Sequence, residues 1–253
     1  GERIAVALSK GGSEDGSLHV FDVATGQQVG DAIPRVQYPT AGGDAAWTPD
    51  GKGFWYTRYP GPDRPADEQH FHQTVWLHRL GEDQKTDVQV FGDGLPKVAE
   101  IELDYSAEAG ALLVTVQKGD GGEVAHYVRG EDGRFVQVTR FEDGVTHARF
   151  GPDRALYLVS QAAGTPRGEI RRLAPGTLDL ERATRFVPQG EDVIAASFRG
   201  DDAFVFLGER IYVRYLAGGP SRVRIFDLTG APKGDLPLPG IAAEDIGRCA
   251  HRI

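Results

Sequence analysis

Apolar and polar positions along this chain follow the two-residue period of a β-strand far more often than the 3.6-residue period of a helix. Runs such as Phe54-Trp55-Tyr56-Thr57-Arg58-Tyr59, Thr74-Val75-Trp76-Leu77, Leu112-Leu113-Val114-Thr115-Val116 and Arg222-Val223-Arg224-Ile225-Phe226 are short and rich in β-branched or aromatic residues. Clusters of Gly, Asp and Pro separate them. The nearest approach to a helix, Thr177 to Thr184, is short and weakly periodic. An all-β fold is expected.

The strands recur as a unit. A strand ending in an aromatic, a polar turn and a second apolar strand first appear as Ala45-Ala46-Trp47-Thr48-Pro49-Asp50-Gly51-Lys52-Gly53-Phe54-Trp55-Tyr56. The pattern returns around Tyr105, Phe150 and Phe198, so its aromatics are 58, 45 and 48 residues apart. A second motif lies between these, as in His19-Val20-Phe21-Asp22-Val23-Ala24-Thr25-Gly26 and Arg224-Ile225-Phe226-Asp227-Leu228-Thr229-Gly230. Aligned on Val23, Leu80, Val128, Leu173 and Leu228, it steps by 57, 48, 45 and 55 residues.

Repeats of roughly 40–50 residues with four strands each mark propeller blades. A β-sandwich, the alternative, would not repeat internally at this interval. A β-propeller of about five four-stranded blades in a single domain over residues 1–253 is therefore expected. The blades fall at about 1–37 plus 244–253, 43–92, 98–140, 145–187 and 193–237. The first lacks its innermost strand, and a lone inner-strand candidate, Asp245 to Ile253, stands at the other end. Pairing of the two would close a ring and remove exposed sheet edges.

Composition narrows the functions. The formal net charge is −9 with both signs mixed along the chain, and no basic stripe exists to neutralise phosphates, so nucleic acid is an unexpected partner. No apolar run approaches the roughly 20 residues of a membrane helix. Cys249 is the only cysteine, which allows no internal disulfide and points away from stapled secreted scaffolds. The cytoplasm is favoured, with the periplasm still open. With no methionine and a start directly in a strand-like segment, the chain is expected to be a piece of something longer.

Candidate chemistry is sparse. The closest match to a Gly-x-Ser-x-Gly nucleophile elbow, Gly11-Gly12-Ser13-Glu14-Asp15, lacks the final Gly and precedes a strand rather than a helix. His70, His72 and His78 could bind zinc only with a further ligand, and no Cys or well-spaced carboxylate supplies one. Asp120, Asp132 and Asp143 sit in Gly-containing turns without the alternating oxygens of a calcium loop. No metal or cofactor is expected. Asp44 and Asp104 are the one obvious pair of inner-strand carboxylates, as a glycosidase would need.

The stretches Asp22-Val23-Ala24-Thr25-Gly26, Ile33-Pro34-Arg35-Val36, Ala46 to Tyr59, and His72 to Asp83 resemble the propeller of the prolyl oligopeptidase family. Residues 46–83 carry the resemblance most specifically, and Asp235-Leu236-Pro237-Leu238-Pro239-Gly240 supports it. The resemblance implies a propeller that caps an α/β-hydrolase domain bearing a Ser-Asp-His triad and admits only short proline-containing peptides. This chain departs from the family in spanning about five blades rather than seven and in lacking the hydrolase domain. It is therefore expected to be non-catalytic, with the hydrolase domain of a parent serine peptidase as partner.

The resemblance also implies where a substrate would be met. Tyr38 stands where the family carries an aromatic lining the far end of the substrate cleft. The long loop Pro60 to Phe71, which includes Arg64, His70 and Phe71, corresponds to one that faces the hydrolase domain and controls entry. Arg35 and Arg64 are candidates for touching a peptide carboxylate. The competing reading is an independent module that binds a peptide, protein or glycan on the same loop face.

Overall fold

A computed structural model of the chain describes residues 1–38, 42–62, 64–195, 202–238, 240 and 246. The described residues form twenty β-strands in five antiparallel sheets, and helical structure among them is limited to five short 3-10 turns. None of these is long and apolar enough to cross a membrane. The first sheet is β1 (Arg3–Ser9), β2 (Gly16–Asp22) and β3 (Ile33–Gln37), in that order. The second holds β4 (Ala45–Trp47), β5 (Gly53–Arg58), β6 (Thr74–Arg79) and β7 (Val88–Phe91). The third holds β8 (Ala99–Ser106), β9 (Ala111–Lys118), β10 (Val124–Arg129) and β11 (Phe135–Thr139). The fourth holds β12 (Val145–Phe150), β13 (Leu156–Ser160), β14 (Glu169–Leu173) and β15 (Thr184–Val187). In all four, neighbours in sequence are neighbours in space, the up-and-down order of a propeller blade.

Local chemistry explains the turns. Between β4 and β5, Thr48 Oγ1 donates to Asp50 Oδ1 at 2.6 Å, and the Lys52 amide donates to the same oxygen at 3.0 Å. Gly51 then turns the chain with φ +64°, a conformation that penalises a Cβ. The equivalent turn of the fourth sheet, Gly151-Pro152-Asp153-Arg154, puts Arg154 at that place with φ +65°.

The fifth sheet departs from the repeat. The stretch Ala196 to Val205 is expected to hold a strand, a turn and a second strand side by side. Instead β17 (Phe204–Leu207) and β16 (Val193–Ile194) both pair with β18 (Arg210–Leu216), at Phe204↔Val213 and Ile194↔Tyr215 respectively. They are two pieces of one sheet edge. The hairpin forms later, at Gly208-Glu209, where Gly208 has φ +59°. Then follow β19 (Ser221–Asp227) and β20 (Pro232–Asp235). Phe198 and the C-terminal strand candidate, Ile246 apart, lie outside the described residues.

The chain packs as two compact units, Gly1–Tyr105 with Leu112–Gly121, and Ser106–Ala111 with Gly122–His251. In the first, Leu18, Val20, Ile33, Val36, Phe54 and Tyr56 form a buried cluster against which Ala5, Ala7 and Trp47 pack. In the second, Tyr157, Val159, Ile170, Phe204 and Val213 are buried together. Strands β5 and β13 are buried on both faces almost throughout, which is why they read as continuous apolar runs rather than as alternations.

Candidate functional site

The site lies at one end of the first unit, where the β1–β2 turn, the end of β3 and the long β5–β6 loop come together. It begins with an irregularity in β3. Gly16 pairs with Gln37 and Leu18 with Ile33, so Pro34, Arg35 and Val36 face the single residue Ser17. The surplus is absorbed by a bulge in which Arg35 adopts φ +64°. Burial of Val36 and a hydrogen bond from the Tyr59 amide to the Arg35 carbonyl, 2.8 Å, hold it there. The Arg35 Nε is buried with no hydrogen-bond partner among the described residues.

The bulge delivers Tyr38 to an aromatic group. Its ring meets Tyr59 edge-on at 5.0 Å and stacks on His70 at 4.5 Å with an interplanar angle of 20°. Tyr59 is buried, Tyr38 is half-buried and His70 is exposed, so the stack runs from core to solvent. Burial raises the Tyr38 hydroxyl above its ordinary value; the charge of Asp15 adds to this and that of Arg35 opposes it.

The long loop is tied down rather than loose. It contains a 3-10 turn at Ala66–Glu68, and Glu68 gathers three side chains: Arg64 at 3.2 Å, His72 at 3.5 Å and Lys97 at 3.5 Å. Lys97 foremost holds the Glu68 carboxyl below its ordinary value, while burial opposes it. The Lys97 ammonium also lies 4.7 Å from the centre of the Phe71 ring, and the His72 amide donates to the Lys97 carbonyl at 2.9 Å. Exposed pairs of this kind contribute little singly; together they fix the loop's course.

Buried polar groups anchor the base. Gln73 is 1% exposed; its Nε2 donates to the Gly42 carbonyl and its Oε1 accepts from the Ile101 amide, both at 2.9 Å. Asp44 accepts the Leu103 amide at 2.7 Å on one carboxylate oxygen and the Ala45 amide at 2.8 Å on the other. Both Asp44 oxygens thus brace backbone amides, one of them on the neighbouring sheet.

The expected site residues therefore divide. Tyr38, His70 and Arg35 come together, whereas Arg64 and Phe71 are engaged by Glu68 and Lys97. The three histidines go to three partners, His70 to Tyr38, His72 to Glu68 and His78 to Asp87 at 2.8 Å. Among the described residues no group of three metal ligands forms. Ser13 lies in the turn between β1 and β2, with its amide donating to the Lys10 carbonyl at 3.3 Å. Tyr59, Glu68, Lys97 and Gln73 are parts of the site that sequence reasoning missed. Only Glu68 left a signal, being four residues from both Arg64 and His72.

The profile of the prolyl oligopeptidase N-terminal beta-propeller domain matches residues 1–245. Prolyl oligopeptidase ophP of Omphalotus olearius is 44% identical over 50 residues, 19% of this chain and 7% of that protein. Prolyl oligopeptidase A of Galerina marginata is 33% identical over 81 residues, 28% and 11% of the two. Among solved structures, one from a structural and mechanistic study of two prolyl endopeptidases superposes with a TM-score of 0.83 at 24% identity, covering 98% of this chain and 36% of that one. Prolyl oligopeptidase B of Galerina marginata in its apo form gives 0.75 at 16%, covering 95% and 34%. The chain thus spans about a third of the length of these structures, and its alignments cover about a tenth of the curated relatives.

Proposed function

This chain belongs to the prolyl oligopeptidase family, and from that premise we propose that it is a non-catalytic gate, restricting which peptides reach an α/β-hydrolase domain. The observation that carries this reading is the stack of Tyr59, Tyr38 and His70 at the loop end of the first unit. A proline ring is apolar and rigid, and grooves that recognise proline-rich segments are lined with aromatic faces. Arg35 beside Tyr38 offers a positive charge to a peptide carboxylate. The contacts that tie Arg64 to Phe71 make this part of the loop a barrier rather than a tether, so bulk at this face would exclude large substrates and admit short ones.

The test uses the chain mixed with a separately produced hydrolase domain of a family member. Hydrogen exchange of the chain should slow at residues 35–38 and 59–72 on mixing. Cleavage of long proline-containing peptides should fall more than cleavage of short ones, and Tyr38→Ala should weaken that discrimination. Protection confined to other surfaces would contradict the gate. Binding of peptide by the chain alone, with no response to the hydrolase, would favour an independent binding module.

A further inference from the structure

Half-buried arginines elsewhere in the chain are engaged by their neighbours. Arg172 is held by Asp153 at 2.6 Å, Arg224 by Asp192, and Arg58 donates to the Tyr56 hydroxyl at 3.0 Å. Arg35 is half-buried as well. Yet no ion pair or hydrogen bond holds its guanidinium among the described residues, and its Nε is buried without a partner. A cation partly removed from water without a counter-charge is unfavourable. The backbone adds strain, since φ +64° is rare for a residue with a Cβ. A glycine would adopt it freely. Both penalties fall on one side chain at the base of the aromatic stack.

Arg35 and the stack are joined through the backbone. The Tyr59 amide donates to the Arg35 carbonyl at 2.8 Å, the Tyr59 ring meets Tyr38 at 5.0 Å, and Tyr38 stacks on His70 at 4.5 Å. The Arg35 charge also reaches the Tyr38 hydroxyl, where it opposes the upward push of burial and of Asp15. A planar guanidinium matches a carboxylate, and aromatic faces suit the ring of proline. A ligand that uses both needs a ring and a carboxylate close together. An internal proline has no carboxylate, and an acidic side chain has no ring. A proline at a free C-terminus carries both on one residue.

We propose that this cluster binds short peptides by a free C-terminal proline, with the α-carboxylate on Arg35 and the ring against Tyr38 and His70. The inference rests on the gate reading above and names what the gate recognises. Hydrolysis of a peptide bond creates a new carboxylate end, whereas an internal segment of a long chain has none. Recognition of the end therefore adds a chemical filter to the steric one. Arg64, the other arginine of this face, is engaged by Glu68 at 3.2 Å.

The test titrates the full chain with the peptide Ala-Gly-Ala-Pro as free acid and as C-terminal amide, to about 10 mM, while the His70 ring protons are followed by NMR. The acid should shift these protons, and the amide should bind at least about tenfold more weakly. Arg35→Gln should abolish that preference, and Arg35→Lys, which keeps the charge without the fork, should retain part of it. Arg35→Gly should abolish it without lowering the thermal midpoint, because the left-handed backbone is relieved. An Arg35→Gly chain that loses stability and still prefers the acid would show a purely structural arginine and overturn the proposal. Should the variants fail to fold, the comparison of acid and amide on the native chain still decides. Equal affinity for the two, or shifts confined to residues away from His70, overturns the proposal. If no acid preference is found while the hydrolase-dependent size discrimination holds, this proposal falls and the gate stands. An acid preference without any effect on a hydrolase domain supports this site and removes the gate.

Discussion

The first and fourth sheets carry comparable apolar strands in different surroundings. β13 is flanked by β12 and β14 and is buried throughout, with Leu156 1% and Leu158 0% exposed. β1 has β2 alone beside it among the described residues, and its Ile4 and Leu8 are about half exposed. Both strands are apolar runs bounded by turns, so the difference lies in their neighbours. Burial of a strand in this architecture comes from the strands and sheets around it, and an apolar run with one neighbour among the described residues keeps part of its side chains exposed.

The largest test of that contrast is a pair of truncations. Leu158→Ala should destabilise the protein by about 2–5 kcal/mol, while Leu8→Ala should cost less than about 1 kcal/mol. Urea unfolding of both variants checks this, and equal losses would mean that β1 is buried in solution.

Acid should act next, through a buried histidine on the third sheet and a half-buried one on the fourth. His126 on β10 is fully buried with Nδ1 2.7 Å from Thr139 Oγ1, and His147 on β12 sits edge-on to Phe204 at 5.2 Å. The Nε2 of each lacks a hydrogen-bond partner among the described residues. Burial foremost pulls both histidines down to about 3; the positive charge of His147 adds to this at His126, and that of Arg149 at His147. The unfolded chain therefore binds protons that the folded one refuses. Stability is full above the unfolded value near 6.5 and falls as pH drops toward 3, by up to about 1.4 kcal/mol per pH unit for each histidine. Urea midpoints between pH 6.5 and 5 should show this slope before most carboxylates titrate, and His147→Phe should flatten it. An unchanged slope in that variant would remove His147 from the account.

A smaller effect is expected at the paired turns. Arg154 occupies with φ +65° the place that Gly51 fills with +64° in the second sheet. Arg154→Gly should therefore stabilise by up to about 1 kcal/mol, and Gly51→Ala should destabilise by a similar amount. Thermal unfolding of the two variants reads both signs, and a loss with Arg154→Gly would mean that its side chain matters more than its backbone. The smallest effect is at the loop. Glu68→Ala should alter global stability by less than about 0.5 kcal/mol yet speed hydrogen exchange across residues 64–72, where its three partners are released.

Much of the fold was legible in the sequence because repetition is a strong signal. The recurring aromatics Trp47, Tyr105 and Phe150 stand at or beside the ends of β4, β8 and β12. The split edge of β16 and β17 was not legible, since Phe204 to Leu207 has the same apolar pattern whichever side of β18 it pairs with. The site was legible only in part. Tyr38 came from family resemblance, and no residue pattern near it encodes a stack with His70. Asp44 looked like a chemical group because its partner amide, on Leu103, is 59 residues away. Gln73 gave no sign, as a polar residue opening a strand is ordinary until its two buried partners are seen. The left-handed Arg35 was equally hidden, because the register slip that demands it depends on pairing with Gly16.

The chain belongs to the prolyl oligopeptidase family, and the central proposal is that it gates the chemistry rather than performing it. The most direct measurement incubates the pure chain with a fluorogenic proline-containing peptide and, in parallel, with a serine-reactive fluorophosphonate probe. The account predicts no turnover and no labelled serine, with activity restored only when a hydrolase domain is supplied. Turnover by the chain alone, abolished by the probe and mapped to a labelled serine such as Ser13, would contradict it.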